Sequence, residues 1–267
     1  DFNAVGNHEF DEGRDELLRM QNGGCHPTDP NSCRGNNVGT PYPFEGAKFD
    51  FLAANVVDTA SGKTLFPAYG VKNFKGNRVA FIGMTLQATP SIVTPSGVAG
   101  LEFRDEADTV NQLVKRLKHR GVDAVVVLVH EGGFAPGSIN GCTGVSGPIV
   151  DIVGRLDDAV DLVVSGHTHQ AYNCSLPNST GRAIPVTSAG SFSRVMTNID
   201  LTLNTKTKDV IAVSAENKLV DRTNFLGAAE PIQPVAEIGT IVANYNSLVQ
   251  PIANRVVGSI TADINRV

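Results

Sequence analysis

Residues 124–130 read Ala124-Val125-Val126-Val127-Leu128-Val129-His130, an aliphatic run with no polar interruption before its last residue. A strand with one wet face alternates apolar and polar side chains, whereas a strand covered on both faces stays apolar throughout, as in a parallel sheet packed under helices. This run therefore predicts a central strand that delivers an imidazole at its C-terminal end. Toward the C-terminus a helix is expected over 149–156, and Leu162-Val163-Val164-Ser165-Gly166 is a second strand of the same kind, followed at once by His167 and His169. Two strands thus aim histidines at one sheet edge. Toward the N-terminus, Asp105 can cap a helix whose Val110, Leu113, Val114 and Leu117 recur at the i, i+3, i+4, i+7 spacing before Gly121 ends it.

The flanks extend this alternation. A helix is expected from about residue 9, with Leu17, Leu18 and Met20 turned inward until Gly23 and Gly24 stop it; a polar loop then covers 22–43. Strands are predicted over 51–56, 78–85, 184–188, 195–203 and 210–220, and a connecting helix over 235–252. Strand and helix alternating, then strands in succession, define an α/β class. The chain opens on a strand-like stretch at Phe2 and closes on the alternating 256–264, so the fold is expected to continue beyond both ends.

The chain has 267 residues, 41 % of them hydrophobic and 18 % charged, a balance that excludes disorder and leaves ample length for a core. A net charge of −5 supplies no broad positive field for a duplex or a membrane surface, so a small-molecule partner and no nucleic acid is expected. No apolar run approaches a membrane span, and no signal-peptide pattern opens the chain. Four cysteines allow three pairings; loop placement favours Cys25 with Cys33 and Cys142 with Cys174, and disulfides imply an extracytoplasmic location. Oligomeric state is not legible.

Three clusters carry chemistry: Gly6-Asn7-His8-Glu9-Phe10-Asp11, then His130-Glu131-Gly132-Gly133, then Gly166-His167-Thr168-His169. Each follows an apolar strand, and each contains glycine where backbone can approach a ligand. Imidazole nitrogens and an amide oxygen suit Zn, Mn or Fe rather than Ca.

With these motifs in this order, the sequence resembles the calcineurin-like metallophosphoesterases and, within them, the 5'-nucleotidase branch. The resemblance implies a four-layer α/β/β/α sandwich, truncated at the N-terminus, over 1–230. It further implies a linker helix over 231–255 and the start of a C-terminal substrate-binding domain over 256–267. It implies two divalent metals, Zn, Mn or similar, at the short spacing of two-metal phosphatases. Asn7, His130 and His167 would hold one metal and His169 the other. His8 would contact the phosphoryl group and stabilise the leaving oxygen, with Asp11 paired to it. The implied reaction converts a nucleoside 5'-monophosphate to nucleoside and phosphate. Cyclic nucleotides, nucleotide sugars and a non-catalytic secreted module are the alternatives. The branch's metal-bridging aspartate motifs do not occur in this sequence, so the chain by itself is expected to be weakly active or inactive, with metal binding reduced or lost.

Overall fold

The computed structural model describes residues 1–33, 38–221, 223 and 231–264. Its elements are, in order, β1 (Phe2–Ala4), α1 (Arg14–Asn22), β2 (Asp50–Leu52), β3 (Val56–Asp58), β4 (Tyr69–Phe74) and β5 (Asn77–Thr85). Then come α2 (Thr89–Ile92), β6 (Leu101–Phe103), α3 (Glu106–His119), β7 (Ala124–His130), α4 (Pro148–Gly154) and β8 (Leu162–Ser165). The chain continues with β9 (Ala171–Pro177), β10 (Ala183–Ala189), β11 (Val195–Asn204), β12 (Asp209–Leu219) and α5 (Ala236–Ala253).

Six strands form the main sheet in the order β4-β5-β7-β8-β10-β9, parallel from β5 through β10 and antiparallel at both edges. The aliphatic run of β7 lies near its centre, and both faces are covered. Val125, Val127 and Val129 join Ala80, Ile82 and Met84 of β5 against Val110, Val114 and Leu117 of α3 and Ile149 and Val153 of α4. Ala124 and Val126 point the other way, where Ile199, Leu201, Val210 and Val213 of the β11–β12 hairpin lie against them. The same second layer includes the parallel pair β1–β2, whose Phe2 stacks on Phe81 at 5.4 Å. Outside it, Leu17 of α1 packs with Phe51 of β2 and Phe10. The order is therefore α/β/β/α, with α1 as the outer layer over β1–β2.

Asp105 caps α3 by accepting from the Asp108 amide at 2.9 Å, and Arg155, just past α4, clasps the same carboxylate through both of its oxygens. That guanidinium holds the Asp105 carboxyl below the usual carboxylate range. This ion pair ties the start of α3 to the end of α4.

The structure corrects several expected boundaries. The first helix begins at Arg14, not near residue 9, because residues 8–10 form a separate 3-10 turn and Gly13 at φ +91° breaks the path between them. Met20 is 40 % exposed rather than inward. The strand expected over 51–56 is two strands in different sheets. The buried Asn55 separates them, bonding the Thr85 and Arg104 carbonyls and the Thr85 amide. Strands β4 and β9 are sheet edges that the sequence reading missed, since Asn and Lys on β4 and Asn and Ser on β9 dilute the apolar signal. Residues 256–264 form no strand and are exposed, with no neighbouring strand among the described residues to pair with. Residues 34–37 of the 22–43 loop and 224–230 before the connecting helix lie outside the described residues. No helix among the described residues is long and apolar enough to cross a membrane.

Candidate metal and phosphoester site

Parallel strands in register present their C-terminal ends together, and here that geometry gathers the three histidine motifs. β7 pairs with β8 so that Val129 lies beside Ser165, one residue short of His130 and two short of His167. β1, in the second layer, runs toward the same edge and leads into Asn7; the Val5 carbonyl just after it accepts from the Thr85 hydroxyl at the end of β5 at 2.7 Å. Asn7 is buried at 2 % exposure. Its Oδ1 stands 3.1 Å from His130 Nε2 and 3.1 Å from His167 Nδ1. The two imidazoles meet edge to face with centroids 5.3 Å apart.

Backbone close approach makes this convergence possible. A Cβ on Gly6 would lie 2.8 Å from ring atoms of His130, and one on Gly132 would lie 2.2 Å from the Gly166 carbonyl. His167 and His169 both take left-handed backbone, φ +64° and +58°, a conformation that surrounding structure must impose on non-glycine residues. The imposing contacts are present: Thr168 Oγ1 donates to the Gly133 carbonyl at 2.8 Å, and the Gly166 amide to the Glu131 carbonyl at 3.3 Å. Glu131 is itself buried and accepts from the Gly132 amide. Behind this turn, Ser165, Tyr172 and the Thr187 carbonyl form a buried hydrogen-bonded row.

His130 is held well below the ordinary imidazole range, at about 4, first by burial and then by the nearby His167, His8 and His169. It is therefore neutral at physiological pH, the form that binds a metal. His8 lies on the open side, 78 % exposed in its side chain, with Nδ1 2.8 Å from Asp11 Oδ2. His169 is exposed beside Phe192, at a centroid separation of 5.6 Å. The sequence reading missed Phe192; no histidine motif contains it, and only the return of β10 to the site brings it there.

Asn7, His130 and His167 thus converge, the His8–Asp11 pair forms, and His169 stands at the rim. Cys25 is joined to Cys33 and Cys142 to Cys174, and the second bridge fastens the loop after Gly133 to β9. Two imidazole nitrogens and an amide oxygen fit part of the coordination shell of one borderline metal ion. Among the described residues, no group of three or more His, Cys, Asp or Glu side chains is close enough to complete such a shell.

An α/β/β/α sandwich with histidines at the carboxyl edge of its sheet defines a class. The calcineurin-like phosphoesterase family profile matches residues 2–171, and the chain belongs to that family. It is 32 % identical over 264 residues, 99 % of this chain and 19 % of the relative, to Endonuclease YhcR of Bacillus subtilis. It is 29 % identical over 181 residues, 67 % of this chain and 28 % of the relative, to a 5'-nucleotidase of Vibrio cholerae. Among solved structures, the 5'-nucleotidase precursor of Thermus thermophilus superposes with a TM-score of 0.67 at 23 % identity, covering 96 % of this chain and 44 % of that one. The chain therefore spans between 19 % and 28 % of the length of these curated relatives.

Proposed function

We propose that this chain carries part of the catalytic centre of an extracytoplasmic, metal-dependent phosphohydrolase acting on nucleotide phosphate esters, with nucleoside 5'-monophosphates as the preferred class. The observation that carries the reading is the meeting of Asn7 Oδ1 with His130 and His167 beside an exposed His8–Asp11 pair. In this reading Asn7, His130 and His167 hold one divalent ion, Zn or Mn, and His169 contributes to a second. When bound, the ions supply Lewis acidity toward the phosphoryl oxygens and an activated water.

The protein's own residues do the rest. Asp11 accepts from His8 Nδ1, which fixes the tautomer and turns Nε2 toward solvent, where a substrate would lie. With Nδ1 engaged by Asp11, Nε2 is the ring nitrogen left free to exchange a hydrogen bond and a proton with the phosphoryl group and the departing alcohol oxygen. Burial keeps His130 neutral, so it need not lose a proton before binding the ion. All three donors for the first ion are uncharged. Metal binding and turnover by the isolated chain are accordingly expected to be weak, and stronger in a longer chain that supplies carboxylates.

The two disulfides support an oxidising location, secreted, periplasmic or wall-associated. Residues 1–230 form the partial catalytic domain in this proposal, 231–255 a linker and 256–267 the start of a substrate-binding domain. Similarity to an endonuclease over 264 residues favours a second reading, phosphodiester cleavage in nucleic acid. The charge of −5 opposes it.

Mn or Zn titration by calorimetry, followed by phosphate release from adenosine 5'-monophosphate, nitrophenol release from bis-p-nitrophenyl phosphate and fragmentation of single-stranded DNA, tests the proposal. Metal binding lost in His130→Ala and His167→Ala, with monophosphate preferred, is the expected result. Metal binding unchanged in both variants would overturn the site, and preference for DNA would install the second reading.

A further inference from the structure

The net charge of −5 conceals a segregation of charge along the strand axis. The histidine site occupies the carboxyl ends of β7 and β8, so the amino ends of the parallel strands and the turns that feed them form the opposite end of the molecule. β7, 7 residues at ~3.3 Å each, separates the two ends by about 20 Å. Three turns meet at the far end: residues 74–77 between β4 and β5, 118–123 between α3 and β7, and 204–209 between β11 and β12. Hydrogen bonds join them into one surface. Lys208 Nζ donates to Asn77 Oδ1 at 3.0 Å and to the Gly76 carbonyl at 3.4 Å, which ties the first turn to the third. The Arg78 guanidinium donates to the Arg120 carbonyl, and the Asp123 amide to the Arg78 carbonyl at 2.8 Å, which ties the first turn to the second.

Six cations stand on this surface: Lys75, Arg78, Lys118, Arg120, Lys206 and Lys208. Elsewhere many basic side chains are paired, as Arg14 is with Asp58, Arg19 with Glu16 and Arg155 with Asp105. None of these six forms an ion pair among the described residues. The carboxylates within the three turns are Asp209 and Asp123, the latter buried and accepting from the Arg78 amide at 2.7 Å. Asp157 borders the surface beside Lys118. Part of the charge serves the fold, since Lys118 Nζ donates to the Asp123 carbonyl at 2.8 Å and cations suit the end of α3. Lys75 and Lys206 have no such role; both are exposed at turn tips. Large apolar side chains flank them. Phe74, beside Lys75, is 55 % exposed, and Ile211, two residues past Asp209 on β12, is 63 % exposed.

A soluble polyanion would engage the cations and leave Phe74 and Ile211 in water. A bilayer with anionic headgroups engages both kinds of side chain at once. We infer that this end of the molecule docks on an anionic lipid surface, with the lysines and arginines at the level of the phosphates and with Phe74 and Ile211 at the acyl boundary. The acidic remainder of the chain is repelled by the same surface, which orients the molecule. The edge that carries His8, His130 and His167 then faces away from the membrane, open to solutes. This inference is independent of the phosphoester reading.

The test is co-sedimentation of the full chain with phosphatidylcholine vesicles, pure or containing about a third phosphatidylglycerol. The expected result is binding to the anionic vesicles alone, lost as NaCl rises from about 0.05 M to about 0.5 M. The triple variant Lys75→Gln, Lys206→Gln, Lys208→Gln should lower the partition about a hundredfold, from about fivefold for each cation. Phe74→Ser and Ile211→Ser should each lower it about fivefold. The substituted side chains are exposed, so all variants are expected to keep the wild-type melting temperature. No binding to anionic vesicles at low salt would overturn the inference, as would a triple variant that partitions like the wild type. Undiminished binding by both Phe74→Ser and Ile211→Ser, with inorganic polyphosphate bound as tightly as the vesicles, would overturn it too and make this end a site for a soluble polyanion.

Discussion

At Gly6 a single hydrogen decides whether two distant parts of the chain can meet, since any Cβ there would lie 2.8 Å from the His130 ring. Gly6→Ala should displace that ring from Asn7, cost about 1–3 kcal/mol through overpacking, and weaken Mn binding more than it lowers melting temperature. Calorimetric metal titration beside a thermal melt checks this, and unchanged metal affinity would rule the contact out as a determinant. His130 adds a pH dependence. Its folded-state value is about 4 against an ordinary 6.5, so between those values the unfolded chain binds the additional proton. In metal-free protein the stability it contributes is complete above 6.5 and drains away as pH falls toward 4. Melting temperatures in chelator should decline over that interval, and the decline should be shallower in His130→Asn.

Single elements owe their positions to patterns that could be read directly. The i, i+3, i+4, i+7 series of α3 buries Val110, Leu113, Val114 and Leu117 on the sheet, and its Asp105 cap is in place. Leu117→Ala empties a site 1 % exposed and should cost about 2–5 kcal/mol in chemical denaturation, with an unchanged denaturant slope if the fold is kept. The Cys142–Cys174 bridge closes a separation of 32 residues. Replacing both cysteines by serine should cost about 3–4 kcal/mol on the chain-entropy account. Because this bridge ties the loop after Gly133 to β9, the double variant should also loosen the Thr168–Gly133 contact, which amide exchange at 166–170 would report. Where patterns were weak the reading failed for physical reasons. Edge strands β4 and β9 carry polar residues on an open side, and Asn55 turns what reads as one strand into a crossing between sheets through its own side-chain hydrogen bonds.

Across the whole molecule, a buried amide helps to hold the hairpin on the main sheet, beside the Asn173 amide that donates to the Ala215 carbonyl. Asn217 of β12, 2 % exposed, donates to the Ile139, Tyr172 and Ser188 carbonyls, and its Oδ1 accepts from Thr197. Those carbonyls belong to the loop after β7, to β9 and to β10, so one side chain joins the second layer to the edge that carries the site. Asn217→Ala leaves these acceptors unmet and should cost about 1–3 kcal/mol in a urea titration. It should also perturb the Phe192 turn, which begins two residues after Ser188. A variant as stable as the wild type would show that the hairpin is held without this amide.

The sequence by itself determined the strand and helix alternation, the cap of α3, the disulfide partners and which histidines follow strands, because hydrophobic period, capping chemistry and motif order are local properties. Tertiary structure alone decided that Asn7 meets His130 and His167 at hydrogen-bond distance, that His130 is kept neutral, and that Phe192 stands at the same rim. Those facts depend on strand register, on burial and on backbone close approach between residues more than a hundred positions apart, and no local pattern encodes any of the three.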